Sequence, residues 1–175
     1  MRRAILGELV ALLVVFCAVS ARVFIWPDPA APPARVDAIV ILGGPASLGR
    51  LDLGLRLAEE GRSPYLLVSE GLYMDLPAGL CQPHRGFTVI CWCPDPGTTQ
   101  GEAEFIGRLA KQHGWHSVIL VTTPDQVWRA RLRVGRCFPG RLYSVTTPLP
   151  LGQWWYLLPY QWGATLKAEL LQRSC

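Results

Sequence analysis

Small or polar residues follow four apolar runs of the sequence, and arginines accompany two of these runs. The four pairs are Gly43 and Gly44, Ser69 and Glu70, Thr98 and Thr99, and Thr122 and Thr123. Glycine lets a ligand approach the backbone closely, and the free N–H groups at a helix start attract anions. Arg50 and Arg129 fall early in the helices after two of the pairs, where a guanidinium could neutralise a phosphate. These residues favour a site for an anionic ligand.

The segment 117–134, SVILVTTPDQVWRARLRV, indicates how such a site could be built. Residues 118–121 are a short aliphatic run, as expected for a strand that is covered on both faces. Thr123 is placed to cap the next helix, with Pro124 at its first position and Gln126 three residues after the cap. This capping box predicts a helix start at the carboxyl end of a strand, where open α/β sheets bind ligands.

Alternating strand and helix patterns predict an α/β fold. Strands are expected at 37–42, 65–68, 87–91, 118–121 and 141–145, and a last helix at about 160–172. Right-handed crossovers then give a mainly parallel sheet with helices on both faces. All four polar strand ends fall on one edge of such a sheet, so they can line one pocket.

Two helices in this series have clear sequence signals. Leu48, Leu51, Leu55 and Ala58 recur at helical spacing after the first strand, and Gly61 is placed to end that helix. The helix after the third strand begins with a second capping box, formed by Thr99 and Glu102, which occupies the Glu102 side chain. Ala103, Ile106, Ala110 and His113 mark the buried face of that helix.

Several large side chains are assigned to solvent or to packing rather than to chemistry. Arg133 and Arg136 follow Arg129 on nearly the same helix face, and as charged residues they are expected to be solvated. Trp154, Trp155 and Tyr156 belong to a proline-broken segment. The tryptophans could cover the sheet edge or touch the membrane surface, and packing in the core or at an interface is favoured.

The N-terminal residues 1–26 predict a membrane helix. Two arginines precede a long apolar run, and a helix over 4–26 would be about 35 Å long, enough to span a bilayer. A cleaved signal peptide is the alternative, since small residues precede Arg22. Whether the segment is a membrane helix or a cleaved signal peptide, the positive-inside rule places the rest of the chain outside the cytoplasm. Residues 27–35 are a proline-rich linker, and 36–175 form the folded domain.

Composition and cysteine use fit an exported domain. The net charge is only +4, and the basic residues are dispersed arginines, so no nucleic-acid partner is predicted. We expect disulfides Cys81–Cys91 and Cys137–Cys175, with Cys93 left over. The rival is a zinc site that uses Cys81, Cys91, Cys93 and His84. The disulfides are preferred to the zinc site, so no metal is predicted. No cofactor is predicted either.

The motifs LGGP with Arg50, SEG, TTQGEA and VTTPDQVWRA together resemble the YdcF-like family, also called SanA/ElyC or domain of unknown function 218. The resemblance implies a Rossmann-like three-layer sandwich, often with an N-terminal anchor, and a link to the cell envelope. The sequence departs from the family pattern at two positions, with Gln126 in place of histidine and Thr98 in place of asparagine. Glutamine cannot exchange a proton near pH 7, so acid–base chemistry at this position is lost.

Two main functional hypotheses follow. The first is an anchored extracytoplasmic domain that binds an anionic, nucleotide-like or phosphosugar-like envelope intermediate. Any turnover would be hydrolysis or transfer at a phosphate or glycosyl bond, with Glu70 and Glu102 as the available carboxylates. The second is a non-catalytic scaffold with a vestigial pocket, and a cytoplasmic-type methyl-donor or nucleotide site is a weaker third option. The predicted ligand-binding residues are Gly43, Gly44, Arg50, Ser69, Glu70, Gly71, Thr98, Thr99, Glu102, Thr122, Thr123, Gln126 and Arg129.

Overall fold

The predicted α/β fold is confirmed in a computed structural model, which describes residues 2–27, 30–70, 76, 79–82 and 86–175. Its five-stranded sheet has the order β3-β2-β1-β4-β5, and each neighbouring pair is parallel. The strands are β1 Ala38–Ile41, β2 Tyr65–Ser69, β3 Thr88–Trp92, β4 Ser117–Thr122 and β5 Arg141–Thr146. The helices are α1 Arg2–Ser20, α2 Ser47–Glu59, α3 Thr99–His113, α4 Val127–Cys137 and α5 Trp154–Leu170.

Helices cover both faces of the sheet, because alternate strand residues point to opposite sides. Ile39, Ile41 and Ile119 pack with α2 on one face. On the other face, Val40 and Leu120 pack with α3 and α4. This two-sided burial explains why the central strands are apolar throughout.

The contact between α2 and the sheet corrects the predicted buried face of this helix. Leu48 is 72% exposed, whereas Arg50, Leu51, Gly54 and Ala58 are buried. A Cβ at Gly54 would lie 2.5 Å from the Ile41 side chain, so glycine lets the helix approach β1 closely. The buried face of α2 therefore includes Arg50 and Gly54 and excludes Leu48.

Both predicted capping boxes are wrong in detail. The N-cap of α3 is Thr98 rather than Thr99, and its hydroxyl accepts from the Gly101 N–H. Thr123 precedes a short 3-10 turn, Pro124–Gln126, but its side chain makes no capping bond. Its hydroxyl is taken by a residue distant in sequence, as described below. Pro124 does occupy the first helical position, as predicted.

Arg133 and Arg136 are not solvated, contrary to the sequence prediction. Arg133 donates to the carbonyl of Gln172, and Arg136 donates to the carbonyls of Ala168 and Gln172. These carbonyls lie at the end of α5, where the helix leaves its last carbonyl groups without internal donors. The two arginines thus fix the C-terminal helix to α4.

The aromatic segment before the expected last helix is itself helical. A 3-10 turn, Leu151–Gln153, leads directly into α5, and Pro159 lies inside that helix. Trp155 is 78% exposed and Tyr156 is also exposed, so these side chains do not pack in the core. The buried positions of α5 include Leu157 and Gln161 instead.

The N-terminal helix continues through a single π-helical turn, Ala21–Ile25. The span Arg3–Ile25 is long and apolar enough to cross a membrane, with a mean hydropathy of 2.5 over an 18-residue stretch, although a signal sequence would pass the same test. The end of this span contacts the domain. Phe24 is fully buried, and the Trp162 indole donates to the Ser20 hydroxyl at 3.0 Å.

Both predicted disulfides, Cys81–Cys91 and Cys137–Cys175, are present. Cys17 and Cys93 are free and exposed. The alternative zinc site is wrong, because the Cys81 and Cys91 sulfurs bond to each other and offer no thiolate. His84, which belonged to that alternative, lies outside the described residues.

The disulfide pattern predicts the number of reactive thiols. An alkylating reagent should modify two of the six cysteines in the denatured, unreduced chain and all six after reduction. Mass spectrometry of peptides should place the two labels on Cys17 and Cys93. A double variant, Cys17→Ser with Cys93→Ser, is the control and should take no label without reductant. Label on Cys81, Cys91, Cys137 or Cys175 before reduction would contradict the pairing.

Candidate functional site

A cavity of about 760 Å³ lies at the edge of the sheet where the strands end. The loops after β1 and β4 separate at this edge, because α2 packs on one face and α4 on the other. Such a switch point is where open α/β sheets form binding crevices. The cavity is lined by Gly43, Gly44, Pro45, Ala46, Ser47, Pro94, Gly97, Thr98, Thr99, Glu102, Gln126, Arg129, Tyr156, Leu157 and Tyr160.

The structure brings together most of the residues predicted from sequence. Seven line the cavity, namely Gly43, Gly44, Thr98, Thr99, Glu102, Gln126 and Arg129. Four others, Arg50, Ser69, Thr122 and Thr123, are buried behind this lining. Glu70 is exposed and lies beside Cys93, whose thiol donates to it at 3.4 Å. Gly71 lies outside the described residues.

The wall that α5 contributes to the cavity was not predicted from the sequence. Tyr156, Leu157 and Tyr160 line the cavity, although they lie far along the chain from every predicted site residue. Their only sequence signal was the clustering of aromatic residues, which was assigned to packing. Pro45, Ala46 and Ser47 were also missed, although they follow the predicted glycine pair directly.

Arg50 is the residue that joins the β1 loop to the end of β4. Its side chain is fully buried, and Nη1 donates to the carbonyls of Leu42 and Gly43 at 2.9 and 2.8 Å. The same guanidinium donates to Gln126 Oε1 at 3.2 Å and to Thr123 Oγ1 at 2.8 Å. Burial lowers the pKa of Arg50 to about 10, so it remains charged at neutral pH. Arg50 therefore supports the loop from behind rather than lining the cavity.

The β1 loop can adopt its shape only with glycine at position 44. Gly44 has a φ of +129°, and a Cβ there would lie 2.8 Å from Gln126 Nε2. Ala46 is also left-handed, at a φ of 56°, and it immediately precedes α2. A non-glycine residue in this region is uncommon and costs free energy. The loop thus brings the free N–H groups at the start of α2 to the cavity wall.

Glu102 contributes a carboxyl group to the cavity lining. Its Oε1 accepts from the Gly43 N–H at 2.7 Å, which joins α3 to the β1 loop. Burial raises the pKa of Glu102, while the Gly43 N–H, the nearby Ser69 hydroxyl and the two arginines oppose that shift. Ser69 Oγ itself completes no hydrogen bond of regular geometry. A buried carboxyl with a raised pKa can hold a proton at the cavity wall.

Arg129 presents its guanidinium to the cavity. Nη1 donates to Thr99 Oγ1 at 2.6 Å, and Nε donates to Gln161 Oε1 at 3.0 Å. Gln161 is oriented in turn by Asp125, whose Oδ2 accepts from Gln161 Nε2 at 2.6 Å. Within the described part of the chain, Arg129 Nη2 has no hydrogen-bond partner. Two N–H groups of a held, positively charged side chain are thus available to a ligand.

Gln126 is held as a neutral amide. Its Oε1 accepts from the Thr122 hydroxyl at 3.0 Å as well as from Arg50. Because both donors bind Oε1, the Nε2 group of Gln126 faces Gly44. This amide group can donate a hydrogen bond, but it cannot transfer a proton.

The arrangement can bind an anion and place a proton beside it. The starts of α2 and α3 and the Arg129 guanidinium supply the positive potential, and Glu102 supplies the titratable group. Tyr156 and Tyr160 add an aromatic wall. Comparisons with protein-family models, with curated proteins and with solved structures found no match to this chain.

Replacing Arg50 by lysine should destabilise the domain. An ammonium group cannot reach all four acceptors, so buried carbonyls lose their donors, and we expect a loss of about 2–4 kcal/mol in unfolding free energy. Urea denaturation of the full chain in detergent would measure this. Arg56→Lys is the matched control, because Arg56 lies on the same helix in an exposed pair with Asp52. Similar losses in both variants would contradict the role of Arg50.

Replacing Glu102 by glutamine should change how stability depends on pH. The folded chain holds the Glu102 proton to higher pH than the unfolded chain, so wild-type stability falls as pH rises through the raised pKa. A glutamine side chain at this position keeps an oxygen that can accept from the Gly43 N–H, but it carries no negative charge. We therefore expect Glu102→Gln to gain stability relative to wild type between about pH 4 and pH 8.

Thermal unfolding over this pH range, with the exposed Glu59→Gln as control, would test the Glu102 prediction. A variant that instead becomes relatively less stable toward pH 8 would show that the ionised carboxylate is favoured in the fold.

Proposed function

We propose that this chain is a membrane-anchored protein whose α/β domain lies outside the cytoplasm and binds a small phosphate-bearing ligand, such as a phosphosugar or a nucleotide. The observation that carries the proposal is Arg129 Nη2, which has no hydrogen-bond partner among the described residues and lies at a cavity that also receives two helix starts. Phosphate groups are bound in this way in many α/β proteins, by N–H groups and a guanidinium together.

The positive potential of the cavity is supported by its immediate surroundings. Arg129 is oriented by Thr99 and Gln161, so little side-chain entropy is lost when it meets a ligand. The N-cap of α3, Thr98, satisfies the N–H of Gly101, and both Thr98 and Thr99 line the cavity at the start of this helix. A protonated Glu102 would remove the negative charge that otherwise offsets Arg129.

The remainder of the cavity suits a ring rather than a bare ion. A volume of about 760 Å³ falls in the usual range for small organic ligands. Tyr156 and Tyr160 form one wall, and aromatic faces stack on sugars and on bases. The ligand class that fits both features is therefore a phosphorylated sugar or a nucleotide.

The location outside the cytoplasm rests on the N-terminal span and on the disulfides. Disulfides persist in oxidising compartments, and Arg2 and Arg3 precede the apolar span. Retention of the span as an anchor is supported by its contacts with Trp162. Cleavage just before Arg22 would remove Phe16 and Ser20, which both contact that side chain. Secretion after cleavage is the alternative.

Catalysis, if it accompanies binding, would use Glu102 as the proton donor for hydrolysis or transfer at a phosphate or glycosyl bond. Gln126 cannot take this role, and Glu70 lies outside the cavity lining. A binding protein without turnover, or a scaffold with a vestigial pocket, is the alternative that the neutral Gln126 favours. Membership of the YdcF-like family remains part of the proposal, supported by the motifs around Arg50 and Arg129.

Binding can be tested by thermal shift with the full chain in detergent. Three ligands should be tested separately: glucose 1-phosphate, uridine monophosphate and a polyprenyl phosphate. At each ligand concentration, the unfolding temperature is compared with that of a sodium chloride control. A ligand at about 100 times its Kd should raise the unfolding free energy by about 2.7 kcal/mol. Arg129→Gln should reduce the affinity at least about tenfold, because it removes a charge-assisted contact.

Arg141→Gln is the matched control, because Arg141 is exposed and begins β5 at the opposite edge of the sheet. This variant should bind like wild type. Stabilisation by none of the three ligands would favour the scaffold alternative, and equal binding by Arg129→Gln would remove Arg129 from the site.

A further inference from the structure

The last helix, α5, exposes large apolar side chains and buries two polar ones, Gln161 and Thr165, beside Leu157 and Ala168. Its buried positions include Gln161 and Thr165, which are fully or nearly fully covered. Its exposed positions include Trp155, Leu166 and Leu170. A helix at a water-exposed surface normally keeps such large apolar side chains on its buried face. Large apolar side chains grouped on one outer face usually mark a contact with a partner or a membrane.

The residues on this outer face carry very little charge. We define the outer face of α5 as Trp155, Tyr156, Pro159, Tyr160, Gly163, Leu166, Lys167 and Leu170, all of which are exposed. Lys167 is the one charged member of this set, and a lysine near a helix end can extend its ammonium group to the lipid headgroups. Tryptophan and tyrosine are the residues enriched where membrane proteins meet the headgroup layer.

The membrane span lies directly against α5. The Trp162 ring stacks on Phe16 at 5.4 Å between centroids and meets Phe24 edge-on at 5.3 Å. The Trp162 indole also donates to Ser20. One α5 side chain thus contacts three turns of the N-terminal helix, so the two helices are fixed beside each other.

The length of the span places this contact within the membrane. The span Arg3–Ile25 has 23 residues and is about 35 Å long, close to what a hydrocarbon layer of about 30 Å requires. The part that precedes Phe16 is only about 20 Å long, which is too short to cross that layer by itself. This inference rests on the membrane anchor proposed above: with Arg3–Ile25 as that anchor, Phe16 and Ser20 lie in or at the edge of the hydrocarbon, and Trp162 lies there with them.

We propose that the outer face of α5 is a membrane-contacting surface, immersed in the outer leaflet beside the N-terminal span. The helix does not cross the bilayer, since its other face is bonded to α4, where Arg129 donates to Gln161 and Arg136 donates to the Ala168 carbonyl. Lipid chains and headgroups cover the tryptophan, tyrosine and leucine side chains that water would otherwise meet. Tyr156 and Tyr160 also line the cavity, so the cavity mouth borders the membrane surface.

Site-specific fluorescence can test this placement in the full chain reconstituted in phosphatidylcholine–phosphatidylglycerol nanodiscs. In a Cys17→Ser, Cys93→Ser background, an environment-sensitive fluorophore would be attached at Leu166→Cys or, separately, at Trp155→Cys. Leu9→Cys, exposed in the N-terminal span, is the control for lipid contact. Glu59→Cys, exposed at the end of α2, is the control for water contact. All four positions are exposed, so the labels should not disturb the core.

The expected result is that labels at 155 and 166 lose more than about half of their emission to nitroxide-bearing lipids and are protected from iodide, as at position 9. The label at 59 should show the reverse. Quenching by iodide but not by lipid at 155 and 166 would overturn the proposal and leave the face in water. Protection from both quenchers would also overturn it, because a second copy of the chain would then cover the face.

Discussion

The arrangement of the site depends on one buried cation, the guanidinium of Arg50. Its four hydrogen bonds join the carbonyls at the end of β1 to Gln126 and Thr123 after β4. Within the described residues, no carboxylate pairs directly with it, so backbone and side-chain oxygens provide the compensation for its burial. The glycine loop is held in its left-handed shape by this residue. The cavity wall therefore has a fixed form before any ligand arrives.

A second network, built on α5, sets the position of the cation that faces the cavity. Gln161 accepts from Arg129 and donates to Asp125, and this explains why an amide occupies a fully buried position of that helix. The buried amide of α5 is thus satisfied by α4 and by the turn before it. Several large apolar side chains of α5 are exposed on the outside. In the proposed membrane placement, the exposed apolar face of α5 brings the cavity mouth next to the lipid surface.

Parts of the fold could be read from local pattern because they depend on local physics. Apolar runs of four to six residues, separated by helical spacing, led to five parallel strands with helices on both faces. The cysteine spacing led to the two disulfides. Local pattern failed where one side chain had two possible partners. Thr123 and Glu102 both had the spacing of a cap, yet each bonds instead to a residue more than 50 positions away.

The meeting of glycine, serine and threonine clusters at one edge of a parallel sheet could be predicted from the sequence. Right-handed crossovers leave few alternative arrangements of the strands. Which of these residues face the cavity and which support it became clear from the folded chain. Arg50 and Arg129 have similar places in their helices. Four oxygen acceptors surround Arg50, whereas Arg129 Nη2 has no partner among the residues that the structure describes. The physical reason is that the hydrogen-bond partners of each guanidinium come from segments brought together by folding, which spacing along the chain does not encode.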